Sequence, residues 1–252
     1  MTFADKVAVR EYVARVAPAC GFTTLYATTK DLRTVDRSTL PREFVIKASH
    51  ASGAVLLVAD WASPTQRTPR PADGLVRTTV QPDHLDWDLL CATTDAWLRT
   101  PYTGPLGEWA NMQVAPALLV EELLAGPDGR APTDYKLWVF HGVCRVVEVA
   151  CDRFDGLREV LFTPAWDVIV DLPTDLETAA TIDRPATLTA MISIAERLGA
   201  ATDFIRVDLY DVGGRVVFGE LTNYPGGGSD VLTRKADERL GAYWNVPRRY
   251  RD

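Results

Sequence analysis

Residues 205–222 constrain the fold of this chain more than any other stretch. Ile205, Val207 and Leu209 alternate with Arg206 and Asp208, and after Gly213-Gly214 the run from Arg215 to Leu221 alternates again. Period-two alternation on both sides of a Gly-Gly pair marks a β-hairpin. Ile205, Val207, Leu209, Val217 and Leu221 are expected on one face with Gly219, and Arg206, Asp208, Glu220 and Thr222 on the other. With Gly213-Gly214-Arg215 as the loop, Asp208 stands opposite Glu220 and Arg206 opposite Thr222. Directly opposed side chains lie about 5 Å apart. Two carboxylates at that distance repel unless a proton or cation sits between them. A hard dication such as Mg²⁺ relieves the repulsion and keeps positions open for phosphate oxygens. On the pattern alone two interpretations stay open, a metal site or a solvated polar face with an Arg–Asp pair.

The rest of the chain mixes helices with strands joined by tight turns, so the class is α+β with antiparallel sheets. Val9, Tyr12, Val13 and Val16 predict a helix within Thr2–Ala17, closed by Pro18. Phe44–Lys47 and Val55–Val58 read as strands joined by a small-residue turn, and the proline-bearing residues Ser63–Gly74 as loop. Leu85, Leu89, Ala92 and Ala96 predict an amphipathic helix ending near Pro101. Ala117–Leu124 and Tyr135–Phe140 are strand-like. Asp183-Arg184-Pro185 reads as the start of a helix whose buried stripe is Leu188, Met191, Ile192, Ala195 and Leu198.

Two further features bear on function. The turn Ser49–Gly53 follows Lys47, and small residues there let backbone N–H groups approach phosphate oxygens. The P-loop ending is absent, and alone the pattern favours an ordinary hairpin turn. Glu121-Glu122 interrupts an apolar strand. Neighbouring residues point to opposite faces, so one carboxylate is driven toward an interior or a cleft, although an edge strand with solvated acids fits the pattern better. Lys136 and Arg153 are isolated charges beside apolar strands.

Composition narrows the partners. The 252 residues carry a formal net charge of −7, which argues against a nucleic-acid scaffold. No run approaches the roughly 18 apolar residues of a membrane span. Asp5, Lys6 and Arg10 leave no apolar signal-peptide core, so a cytoplasmic protein is expected. The four cysteines form no C-x-x-C pair and there are only three histidines, so neither a zinc site nor a disulfide framework is expected.

These features occur in a recognisable order: Asp5-Lys6 through Glu11-Tyr12; Leu40-Pro41 through Lys47-Ala48-Ser49-His50-Ala51-Ser52-Gly53; Leu119-Val120-Glu121-Glu122; Asp134-Tyr135-Lys136 through Phe140; Ile205-Arg206-Val207-Asp208; and Gly219-Glu220-Leu221-Thr222-Asn223-Tyr224-Pro225-Gly226. The chain resembles the TupA-like (teichuronopeptide biosynthesis) proteins of the ATP-grasp superfamily. The resemblance implies two α+β lobes whose antiparallel sheets clamp ATP: residues 1–40 a helix and connector, 41–120 a smaller lobe with a phosphate lid, and 121–252 a larger lobe with the magnesium site. Lys6 and Lys47 would contact phosphates, with Ser49, His50, Ser52 and Gly53 in the lid. Glu121, Glu122 and Leu123 would receive adenine and ribose, and Lys136 would lie near the γ-phosphate. Asp208 and Glu220 would hold two Mg²⁺ ions, with Thr222 or Asn223 completing the site. Thr222 stands where many relatives carry Asn. Arg206 would stabilise an acyl phosphate and the following tetrahedral intermediate, and Arg153 would hold a substrate carboxylate.

The implied activity is an ADP-forming carboxylate–amine ligase acting on small-molecule substrates, with amide or peptide bond formation in natural-product or cell-surface polymer biosynthesis. A phosphotransferase acting on a hydroxyl and a non-catalytic nucleotide binder are the alternatives. The Asp-Lys motif lies almost at the start of the sequence, without the N-terminal domain that precedes it in relatives. The acceptor site is therefore expected to be more open, or completed by a second copy or another chain.

Overall fold

The computed structural model describes residues 2–102, 108–151, 154, 156–172, 175–179, 181–228 and 232–245. The chain divides into two compact units: residues 1–9 with 23–125, and residues 10–22 with 126–252. Helix α1 (Ala8–Val16) starts later than its apolar spacing suggests. Asp5 accepts hydrogen bonds from the amides of Val7 and Ala8, an N-terminal cap that sets the boundary.

The first unit is built on a five-stranded sheet. Its strands are β1 (Leu25–Thr29), β2 (Phe44–Ala48), β3 (Val55–Val58), β4 (Arg77–Val80) and β5 (Leu118–Glu122), in the order β1-β5-β2-β3-β4. Strand β4 runs parallel to β3, an exception to the antiparallel expectation. The proline-bearing segment after β3 supplies the long crossover that a parallel pair requires. Strand β5 is paired on both sides, by β1 and by β2, so the edge-strand interpretation of Glu121-Glu122 is corrected. Phe44, Ile46, Ala48, Leu56, Val58, Leu118 and Val120 form the core with helix α2 (Trp87–Arg99). The buried stripe of α2 is Leu90, Thr93, Thr94 and Trp97 with Cys91, not Leu85, Leu89, Ala92 and Ala96. The Thr93 hydroxyl donates to the Pro69 carbonyl and the Trp97 indole N–H to the Gly74 carbonyl, so polar partners in the long loop decide which face turns inward. Helix α3 (Trp109–Met112) is a single turn.

The second unit carries β6 (Asp134–Phe140), β7 (Val143–Cys151), β8 (Arg158–Phe162), β9 (Phe204–Val212) and β10 (Arg215–Thr222), wholly antiparallel in the order β10-β9-β6-β7-β8. It also has helices α4 (Leu176–Ala179), α5 (Leu188–Gly199) and α6 (Arg234–Gly241). Helix α5 begins after Thr187, and Asp183-Arg184-Pro185 lies before it. Ile194 takes the buried place expected of Ile192. Helix α5 packs on the apolar face of the sheet, where a Cβ on Gly199 would meet Val139 and Ile205 at 2.5 and 3.0 Å. Tyr135, Leu137, Val147, Val149, Val207 and Leu209 share that face by register. Asp134, Lys136, Trp138, Glu148, Arg206 and Asp208 fall on the opposite one.

Candidate functional site

The polar face of the second sheet is organised by register. Glu220 pairs with Asp208, Asp208 with Lys136, and Lys136 with Glu148, so four charged side chains cross four strands in one row. The adjoining row holds Thr222, Arg206 and Trp138. The pairing of Asp208 with Glu220 and of Arg206 with Thr222 agrees with the sequence, but its cause differs. The turn is the two-residue Gly213-Gly214, both at positive φ, and the extra residue is a bulge at Gly219 between Phe218 and Glu220. On the turn side of the bulge Phe218, not Gly219, is the partner of Leu209, and Val217 pairs with Tyr210, off the face expected of it.

Asp208, Lys136 and Glu148 are each 6% exposed. Arg206 holds Asp208 through two hydrogen bonds, Nε to Oδ1 at 2.7 Å and Nη2 to Oδ2 at 2.8 Å, and Nη2 also reaches Thr222 Oγ1 at 3.3 Å. Burial pushes the Asp208 carboxyl up to about 6; Arg206 pulls it down, but Glu220 and Asp134 add to the rise. Burial works against the Arg206 charge, yet Asp208 dominates and raises its pKa, with Glu148 and Glu220 contributing. Lys136 Nζ donates to Glu148 Oε1 at 2.5 Å and to Glu159 Oε1 at 3.1 Å, and Trp138 Nε1 donates to Glu148 Oε2 at 2.9 Å. Burial lowers the Lys136 pKa, but the Glu148 charge and hydrogen bond, joined by Glu159, outweigh it and leave the ammonium favoured.

Glu148 and Glu159 thus act on Lys136; Asp208, Glu148 and Glu220 on Arg206; and Glu220 and Asp134 on Asp208. Even a bidentate arginine leaves Asp208 above the ordinary carboxylate range, with burial the leading cause. Among the described residues no group of three His, Cys, Asp or Glu side chains forms a metal cage. Magnesium asks for less, one or two carboxylates with the remaining positions filled by phosphate and water. Asp208 and Glu220 fit that requirement. Thr222 lies on the same face beside Arg206, and Asn223 follows the end of β10 and is half-buried. Arg153 lies outside the described residues.

In the first unit, Lys47 and Glu121 form an ion pair at 2.6 Å on the sheet face opposite α2, with Glu121 2% exposed. Glu122 turns the other way and accepts from Thr24 N and Thr24 Oγ1, each at 2.9 Å. The Glu122 N–H donates to the Thr24 carbonyl, and Leu123 follows half-buried. Lys6 Nζ donates to the Ala51 carbonyl at 2.9 Å, tying the N-terminal segment to the Ser49–Gly53 turn. Ser49 is buried and bonded to Ala115 and Ala117, whereas Ser52 is exposed and Gly53 has φ +88°. His50 is buried, with Nε2 3.2 Å from the Thr100 carbonyl. A carbonyl only accepts, so Nε2 carries the hydrogen, and Nδ1 is buried without a hydrogen-bond partner. Burial lowers the His50 pKa; the Thr100 carbonyl opposes this and Lys6 adds to it.

Glu148 and Glu159 were not among the residues singled out from the sequence. A signal for Glu148 existed, because it interrupts Val146-Val147-Glu148-Val149-Ala150 as Glu121 interrupts its own strand.

A family model described as TupA-like ATPgrasp matches residues 107–245, more than half of the chain. Among solved structures, D-alanine–D-alanine ligase from Helicobacter pylori gives a TM-score of 0.49 at 12% identity, over 95% of this chain and 57% of that one. D-alanine–D-alanine ligase from Bacillus anthracis complexed with ATP gives 0.47 at 12% identity, over 95% and 60%. VanG D-Ala:D-Ser ligase from Enterococcus faecalis gives 0.46 at 13% identity, over 96% and 62%. The chain therefore spans less than two thirds of the length of each. No curated protein matches the sequence. With a match over residues 107–245, the chain belongs to the TupA-like ATP-grasp family.

Proposed function

We propose that this protein is an ATP-dependent, ADP-forming carboxylate–amine ligase that makes an amide or peptide bond. The observation that carries the proposal is the charged row Glu220–Asp208–Lys136–Glu148 with Arg206 beside it, in which Asp208, Lys136 and Glu148 are buried and Glu220 is exposed. Asp208 and Glu220 are assigned to magnesium, with Thr222 or Asn223 completing the set. Bound there, the metal supplies neutralisation of the charge on a transferring phosphoryl group.

Lys136 is assigned to the γ-phosphate. An ammonium has three donors, of which Glu148 and Glu159 take two. Lys6, Lys47 and the Ser49–Gly53 turn are assigned to phosphates, and the Glu121–Leu123 segment to adenine and ribose. In the reaction, a carboxylate oxygen bonds to the γ-phosphorus as the β–γ bridging bond breaks, giving an acyl phosphate and ADP. An amine then attacks the acyl carbon, loses a proton and expels phosphate. Arg206 uses Nε and Nη2 on Asp208 and Thr222, so its Nη1 edge is assigned to the oxyanion of that second step.

Amine-dependent release of ADP and phosphate in equal amounts, with a new amide detected by mass, is the expected result of a screen of amino-acid pairs. A phosphorylated product formed without free phosphate would replace the ligase with a phosphotransferase.

A further inference from the structure

Lys136 does not stand alone on its strand. Its neighbours by register are Asp208 on β9 and Glu148 on β7, so one lysine bridges the proposed metal ligands and a second, separate carboxylate. Glu148 is held at both oxygens, Oε1 by Lys136 and Oε2 by the Trp138 indole. Trp138 lies two residues along β6 on the same face and packs edge-on against Phe204 at a centroid separation of 6.3 Å. Phe204 in turn packs on Phe140 at 4.9 Å, in a cluster that includes α6. The carboxylate is therefore anchored to a packed aromatic group rather than to solvent. Glu159, the other partner of the lysine, has a side chain 45% exposed and no comparable hold among the described residues.

We propose that Glu148, locked by Trp138, is the positioning residue that fixes Lys136 beside Asp208 for contact with the γ-phosphate of a bound nucleotide. The inference rests on the nucleotide assignment of the preceding section. A flexible four-carbon stem loses rotamer freedom when it binds, and a carboxylate fixed on its far side removes that loss beforehand. Glu148 touches neither substrate nor metal in this role and acts only through the lysine. A purely structural glutamate would change stability without changing how the protein tells a triphosphate from a diphosphate.

The test compares binding of magnesium AMP-PNP and magnesium ADP by calorimetry in the parent, Glu148→Gln, Glu148→Asp, Trp138→Phe and Lys136→Met. The parent is expected to prefer AMP-PNP. Glu148→Gln should reduce that preference about tenfold, the scale of one charge-assisted contact, while ADP affinity changes by less than about twofold. Glu148→Asp should restore part of it. Adding Lys136→Met to Glu148→Gln should cost little more preference. An unchanged preference in folded Glu148→Gln overturns the inference, whatever happens to its melting temperature. Should Glu148→Gln not fold, Trp138→Phe keeps every charge and must still reduce the preference; no reduction overturns the inference as well. A parent that binds both nucleotides alongside silent variants leaves the nucleotide assignment standing. A parent that binds neither overturns both.

Discussion

Asp208 and Glu220 are cross-strand partners because of Gly219. Between Val212 and Leu209 the β9–β10 pairing follows the two-residue turn, and beyond Gly219 it is offset by one. Without the bulge Glu220 would pair with Val207 and point to the apolar face under α5, since a one-residue slip moves every side chain to the other side of a sheet. The bulge therefore decides whether the second carboxylate meets the first or enters the core.

The same residue is intolerant of a side chain. A Cβ at Gly219 would lie 2.9 Å from the Asp208 carbonyl and 3.0 Å from a Tyr210 ring carbon. Gly219→Ala is expected to destabilise the protein by about 1–3 kcal/mol, as overpacking does elsewhere. It should also weaken magnesium–nucleotide binding, because relief of the clash moves Asp208. Thermal unfolding with and without magnesium AMP-PNP measures both, and a variant matching the parent in each would show that the bulge does not govern the site.

Much of this geometry was legible in the chain, for uneven reasons. The offset of Asp208 and Glu220 follows from counting residues, and the count is the same whether the extra residue sits in the turn or in the strand. That is why the pairing could be read while the partner of Leu209 could not. The buried stripe of α2 was misplaced because Thr93 and Trp97 face inward to meet backbone groups distant in sequence, and Thr94 is buried with its hydroxyl on carbonyls of its own helix. Periodicity of apolar residues carries no record of such bonds. Glu148 and Glu159 lie 12 and 23 residues from the lysine they hold, and only the order of β6, β7 and β8 brings them to it.

Lys47 and Glu121 give a second stability test. Glu121 is almost fully buried, whereas Lys47 is 23% exposed and can still reach water. Lys47→Met should destabilise by about 3–5 kcal/mol, because it removes a cation from a buried carboxylate. Glu121→Gln should cost less, and Lys47→Met combined with Glu121→Leu should recover part of the loss. Urea denaturation of the four proteins checks the order; equal costs for the two single variants would contradict it.

His50 sets a pH dependence of definite sign. Its folded pKa lies below the ordinary 6.5 because burial disfavours the imidazolium, an effect that Lys6 reinforces and the Thr100 carbonyl opposes. A depressed folded pKa means that the unfolded chain takes up the proton first. The stabilising contribution is therefore full above about 6.5 and is lost as pH falls through the lower folded value. The difference in unfolding free energy between the parent and His50→Leu should shrink from about pH 8 to about pH 5. A difference that grows on acidification would reverse the assignment.

Metal removal gives the most direct test of the acidic cluster. If Asp208 and Glu220 hold magnesium against a nucleotide, the protein should be stabilised by magnesium and AMP-PNP together more than by either alone. At about one hundred times the dissociation constant the gain is about 2.7 kcal/mol, and for a chain of this size that raises the melting temperature by about 5–10 °C. EDTA should cancel most of the shift. Asp208→Asn should lose the metal-dependent part, since an amide neither carries the charge nor repels Glu220, so the repulsion that a dication relieves is gone. The buried Arg206 would then lack its bidentate partner, so the variant must be compared with its own ligand-free melting temperature. Differential scanning fluorimetry of the parent and Asp208→Asn, each with and without magnesium, decides the matter: an equal magnesium-dependent shift in both would remove Asp208 from the metal site.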